Sequence, residues 1–157
     1  MTVDVNVNVW NLLLLEGGGG ETCGFLLGSV ARTDPLCICI EDYVAIPAER
    51  SHRRAYVLAR DERAEFQESL LQAWAKDRPA AMRPLGYFRT NVRGKLRLSA
   101  EDVELCDEFF PDAADIAMLI KPYAGIDMAM IFVRKNGEFP SVGVPVEVRF
   151  RAHVTAP

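Results

Sequence analysis

A few short stretches of this chain carry side chains able to move protons, hold a metal or recognise an anion. Glu21 and Cys23 stand two apart, so an extended segment would turn both to one face. A thiol nucleophile needs a base, however, and the sequence brings no histidine near Cys23, which reads more simply as a small buried residue. Cys37 and Cys39 also share a strand face, but two thiols without further ligands nearby do not make a zinc site, so buried free thiols are expected. Ser99-Ala100-Glu101-Asp102 has the spacing of a capping box, with serine at the N-cap and an acidic residue at N3. Arg89, Arg93, Lys95 and Arg97 gather positive charge just before it. Such a loop could receive an acidic surface or a C-terminal carboxylate, or simply be solvated. The two histidines, His52 and His153, lie away from all of these, and His52 sits beside Arg53 and Arg54, whose charge discourages both protonation and metal.

The frame around these residues follows from composition and patterning. A chain of 157 residues is expected to form one domain, 1–157. Its formal charge of −4 gives no electrostatic footprint for nucleic acid or a membrane surface. No apolar run, residues 12–15 included, approaches the ~20 residues that span a bilayer. Four cysteines in a chain this long do not make a disulfide framework, which points to a reducing, cytoplasmic setting.

Val3, Val5, Val7 and Val9 alternate with polar residues, so a half-buried strand is expected at the start. Residues 11–16 are too short an apolar cluster to assign, and the four glycines 17–20 read as a loop. Residues 22–30 and 36–40 suggest a hairpin that continues extended through 42–47, with a further short strand at 55–58. Phe66, Leu70 and Trp74, with Leu71 and Ala73 beside them, predict an amphipathic helix over 61–77. Residues 84–88 read as a strand, and 99–110 as a second helix with Val103, Cys106 and Phe110 inward. Strands are expected at 116–120 and 129–133, with Asn136-Gly137 making a tight turn and an extra edge strand at 142–150. Met118, Met128, Met130 and Phe132 are core candidates. The fold class is α/β, a mixed β-sheet flanked by helices.

Against that frame, Gly86-Tyr87-Phe88-Arg89-Thr90-Asn91, seven further residues, then Ser99-x-x-Asp102 resembles the metal-binding signature of JAMM/MPN domain isopeptidases. Upstream, Glu21-Thr22-Cys23-Gly24-Phe25-Leu26-Leu27-Gly28 is similar to that family's Glu-x-x-Gly-Leu-x-x-Gly strand. With the approach to the first long helix and the strand at 116–122, about two-thirds of the chain is matched in order. The resemblance implies a cytidine-deaminase-like architecture. It also implies a zinc held by two histidines and an aspartate, a serine assisting the oxyanion, and a glutamate as general acid/base. Asp102, Ser99 and Glu21 stand at the last three of those places, but Arg89 and Asn91 stand where His-x-His would be.

Arginine has no lone pair to give a metal, and an asparagine carbonyl suits harder ions than zinc. The expectation is therefore a JAMM/MPN-like domain without zinc or any other cofactor. Glu21, Ser99 and Asp102 would be vestigial, and Arg89, Asn91 and Arg93 would serve binding. Arg89 is expected to replace the metal's charge between Glu21 and Asp102. The domain would work as a non-catalytic protein-binding or scaffolding module, paired with a protein partner or with itself. The alternatives are an isopeptidase or peptidase with an altered metal site, and a receptor for a carboxylate or peptide end. Members of the family carry a full helix between the first strand and the glutamate strand; the stretch 11–16 promises only an abbreviated one, which would displace Glu21.

Overall fold

The computed structural model describes residues 1–16, 21–46, 60–75, 79, 82–90, 92, 94–123 and 126–151. His52, Asn91, Arg93 and His153, and the strand expected at 55–58, lie outside the described residues. The chain runs β1 (Thr2–Asn6), α1 (Val7–Leu15), β2 (Thr22–Thr33), β3 (Leu36–Ile46), α2 (Arg60–Ala75), β4 (Arg83–Thr90), α3 (Ala100–Phe109), β5 (Ile116–Tyr123), β6 (Ile126–Val133), β7 (Val144–Pro145) and β8 (Glu147–Arg151). The expected mixed α/β architecture is present as one sheet of eight strands in the order β7-β6-β5-β4-β2-β3-β1-β8. Pairing is mostly antiparallel, with parallel contacts at β1/β3, β1/β8 and β4/β5. The parallel β4/β5 pair requires a crossover, and α3 supplies it.

Alternation along the strands builds two apolar layers. Phe25, Leu27, Tyr87, Ala117, Leu119 and Phe132 face one side, where Phe66 and Leu70 of α2 and Leu105 and Cys106 of α3 cover them. Val3, Val5, Leu26, Ile38, Phe88, Met118 and Ile131 face the other, closed by Trp10 and Leu13 of α1. Arg63 ties the two covering helices together through Glu108 at 2.6 Å, and Arg134 caps the end of α3 by donating to the Cys106 carbonyl at 3.2 Å.

Several expectations need correcting. The valine alternation does not run on as strand: it stops at Asn6, whose Oδ1 accepts from the Asn8 backbone N–H at 2.8 Å and opens α1. Beyond that cap the pattern that matters is Trp10 and Leu13, buried at helical spacing, while Val7, Leu12 and Leu15 are exposed. The layer between first strand and Glu21 is thus a helix of nine residues rather than an abbreviated piece.

On α2, Phe66, Leu70 and Ala73 point inward as expected, whereas Leu71 and Trp74 are exposed. The Arg83 guanidinium lies over the Trp74 ring, 6.0 Å from its centre. On α3 the capping box turns Asp102 inward, so Leu105 and Cys106 follow it into the core and Val103 is only half-buried. Met118 is core, but Met128 is exposed.

The single edge strand expected at 142–150 divides. β7 pairs antiparallel with β6 at one end of the sheet, and β8 pairs parallel with β1 at the other. Only Val146 separates them, so this segment draws the two ends of the sheet toward each other and curls it nearly into a barrel.

Candidate functional site

The strand β4 turns Tyr87 and Arg89 to the face covered by α3, because side chains two apart on a strand share a face. On the neighbouring β2, Cys23 is directly opposite Arg89, and Glu21 lies two residues earlier on that face. The glycines of this strand permit close packing: a Cβ on Gly24 would overlap the Val44 carbonyl oxygen of β3, and one on Gly28 that of Cys39. From above, the first turn of α3 lowers Asp102 onto the same spot. Ser99 Oγ accepts from the Asp102 backbone N–H at 3.1 Å, and Asp102 Oδ2 accepts from the Ser99 backbone N–H at 2.8 Å, both halves of the capping box.

Arg89 is the centre of the resulting cluster. Its Nε donates to Asp102 Oδ1 at 3.1 Å and its Nη2 to Asp102 Oδ2 at 2.7 Å, a two-pronged fork. Its Nη1 lies 3.4 Å from Glu21 Oε2. The Tyr87 hydroxyl completes the set by donating to Asp102 Oδ1 at 2.6 Å. Each oxygen of Asp102 therefore accepts two hydrogen bonds, which uses the four lone-pair positions of a carboxylate. All of this is dry: the side chains of Arg89 and Asp102 are 8% and 2% exposed and that of Glu21 12%.

Burial and pairing act on the titrating groups in opposite senses. Burial works against the Arg89 charge, but the hydrogen bonds and charge of Asp102, with help from Tyr87 and Glu21, hold its pKa above the ordinary arginine value. Burial first, then the nearby Cys23 and the Asp102 charge, push the Tyr87 phenol well above its ordinary value. Burial and the Asp102 charge likewise push up the Cys106 thiol. Arg89 thus stays a cation and Tyr87 a protonated phenol at neutral pH.

Of the residues singled out in the sequence, Glu21, Arg89, Ser99 and Asp102 are brought together. Glu21 reaches Arg89, its Oε2 lying 3.4 Å from Nη1. Cys37 and Cys39 sit elsewhere, on β3, and Cys23 is fully buried. Tyr87 is the member sequence reasoning left without a role, although its position two residues before Arg89 put it on the same strand face. On the opposite face of β4, the buried Thr90 hydroxyl has no hydrogen-bond partner among the described residues.

No family model and no curated protein matches the chain. Among solved structures it is similar to that of a protein from Desulfitobacterium hafniense determined in solution. The TM-score is 0.54 at 16% identity, over 96% of this chain and 93% of that one. A likeness at that identity speaks to the fold alone. Among the described residues no helix is long and apolar enough to cross a membrane.

Proposed function

We propose that this chain is a JAMM/MPN-like domain in which an arginine stands in for the metal, and that it works as a non-catalytic protein-binding or scaffolding module. One observation carries this reading: the buried fork from Arg89 to Asp102, with Glu21 as a third member. The donor set does not fit zinc, because a guanidinium repels a cation and the Asp102 oxygens already accept four hydrogen bonds.

The cation on Arg89 performs the electrostatic part of a metal's role, since two carboxylates in a dry site would otherwise repel one another. It performs none of the Lewis-acid part, having no vacant orbital to polarise a carbonyl or acidify water. The fork also argues against a receptor for free carboxylates, because the guanidinium that would bind one is already engaged by Asp102. What the cluster does instead is mechanical: it fastens the start of α3 to β4 and β2. The exposed Leu12 and Leu15 of α1, and Leu71 and Trp74 of α2, give the outer surface apolar contacts of the kind protein partners use.

The test is metal analysis of the purified protein, alongside an assay on an isopeptide-linked substrate with Glu21→Gln as control. Metal well below one equivalent and no Glu21-dependent cleavage are expected. Stoichiometric zinc, or cleavage lost in Glu21→Gln, would overturn the reading. Restoring the two imidazoles with Arg89→His and Asn91→His together should confer zinc binding that the parent chain lacks.

A further inference from the structure

Among the described residues, one side of the eighth strand has no strand paired to it. β8 pairs in parallel with β1, and the Glu147 backbone N–H donates to the Met1 carbonyl at 3.2 Å. Successive residues of a strand turn their polar backbone groups to opposite sides, so Glu147, Arg149 and Arg151 face β1, whereas Val148 and Phe150 face away from it. The Val146 N–H, on that same far side, is already taken by the Ala129 carbonyl of β6 at 3.0 Å. Pairing with β6 ends there, and among the described residues no strand pairs with the far side of β8.

We infer that this edge pairs antiparallel with the β8 edge of a second copy of the chain, joining two sheets across a two-fold axis through Arg149. The sequence Glu147-Val148-Arg149-Phe150-Arg151 is complementary to itself in that register. Val148 meets Phe150 of the partner subunit as a hydrogen-bonded pair, twice over, so the backbone groups that face away from β1 are all used. Glu147 then stands opposite Arg151 of the partner subunit, an opposite-charge pair formed twice. The register shifted by two residues toward the N-terminus would ask for the Val146 N–H, which is already spent.

Side-chain exposure agrees with this contact. Phe150 is 53% exposed although Val5, its partner on β1, is fully buried. Packed over Val148 of the partner subunit, its ring would lose much of that exposure. Arg149 does not oppose its own copy with a bare charge, because Asp4 accepts from its Nε at 2.9 Å. A five-residue edge is small for a protein interface, so the dimer should be weak, with a dissociation constant on the order of tens of micromolar. The inference is independent of the Arg89 cluster and of any reading of its function.

Sedimentation equilibrium of the full chain, with amide hydrogen exchange at low and high concentration, tests it. A monomer–dimer equilibrium is expected, with the Val148 and Phe150 amides gaining protection as the dimer fills. Glu147→Arg puts like charges opposite one another and should weaken the dimer about tenfold. The exchange Glu147→Arg with Arg151→Glu should recover most of that loss, with the thermal midpoint reporting any effect of losing the Arg151 contact to Glu41 inside the chain. A chain that stays monomeric to about 1 mM, far above that dissociation constant, would overturn the inference. So would a dimer that ignores both variants, or one in which those two amides gain no protection.

Discussion

Among the described residues there are two arginine–aspartate forks, one on β4 in the middle of the sheet and one on its β8 edge, and they differ mainly in how much water reaches them. Arg89 grips Asp102 through Nε and Nη2 with side chains 8% and 2% exposed, and Arg149 grips Asp4 through the same two atoms, at 2.9 and 3.4 Å, with side chains 56% and 20% exposed. The inner fork is covered by α3 and shared with Tyr87 and Glu21. The outer one joins β8 to β1 in contact with solvent, and its other neighbour is the Cys37 thiol, 3.8 Å from Arg149 Nη2. Similar covalent parts therefore do different work. In a dry site, removing one member strands the other as an uncompensated charge, whereas at the surface water replaces the lost partner.

Replacing the inner arginine is the most severe way to probe that contrast. Arg89→Ala leaves Asp102 and Glu21 buried without their cation, and should cost about 3–5 kcal/mol of stability at neutral pH by urea unfolding. A loss under about 1 kcal/mol would mean that the inner fork is as well screened as a surface pair.

Tyr87→Phe removes one hydrogen bond to the same carboxylate and should cost about 1.5–3 kcal/mol. It also carries a pH signature. The folded-state pKa of Tyr87 is raised, so its contribution is full below the ordinary tyrosine value of 10.0 and shrinks as pH rises beyond it, where only the unfolded chain releases the proton. Each such group adds a slope of about −1.4 kcal/mol per pH unit. Cys106, raised from 9.0, begins the decline earlier, and Tyr43 is raised like Tyr87, so Tyr87→Phe should keep the first part of the alkaline loss and make the part above pH 10 less steep by about one such slope. An unchanged slope would remove Tyr87 from the account. At the small end, Arg149→Ala should leave the thermal midpoint unchanged within the error of a melt. A clear drop would show that the outer fork is not merely a solvated pair.

The same contrast explains how much could be read from the chain beforehand. The inner cluster was largely legible because its parts are held by local rules. Ser99 and Asp102 cap a helix three residues apart, Tyr87 and Arg89 alternate on one strand, and the glycines of β2 mark where another backbone comes close. The outer fork was not legible, since Asp4 and Arg149 lie 145 residues apart and no local pattern links them. Trp74 misled for a related reason. Its spacing from Phe66 and Leu70 fits a buried stripe, but the helix buries only as wide a face as the sheet beneath it covers, and Trp74 falls outside that face.

By itself the sequence determined the elements whose stability is settled within a few residues: the α2 periodicity, the α3 cap and the turn where Asn136 and Gly137 take positive φ angles of 52° and 82°. It also determined the chemistry open to Arg89, because side-chain type alone denies it a lone pair for a metal. The tertiary structure decided the rest. It made Val7 to Leu15 a helix by offering Trp10 and Leu13 a core to enter, and it sent the segment after Val144 to two ends of the sheet. It also gave Arg89 both carboxylates. These outcomes depend on surfaces and hydrogen-bonding groups supplied by distant parts of the chain, and no run of neighbouring residues encodes which of them will meet.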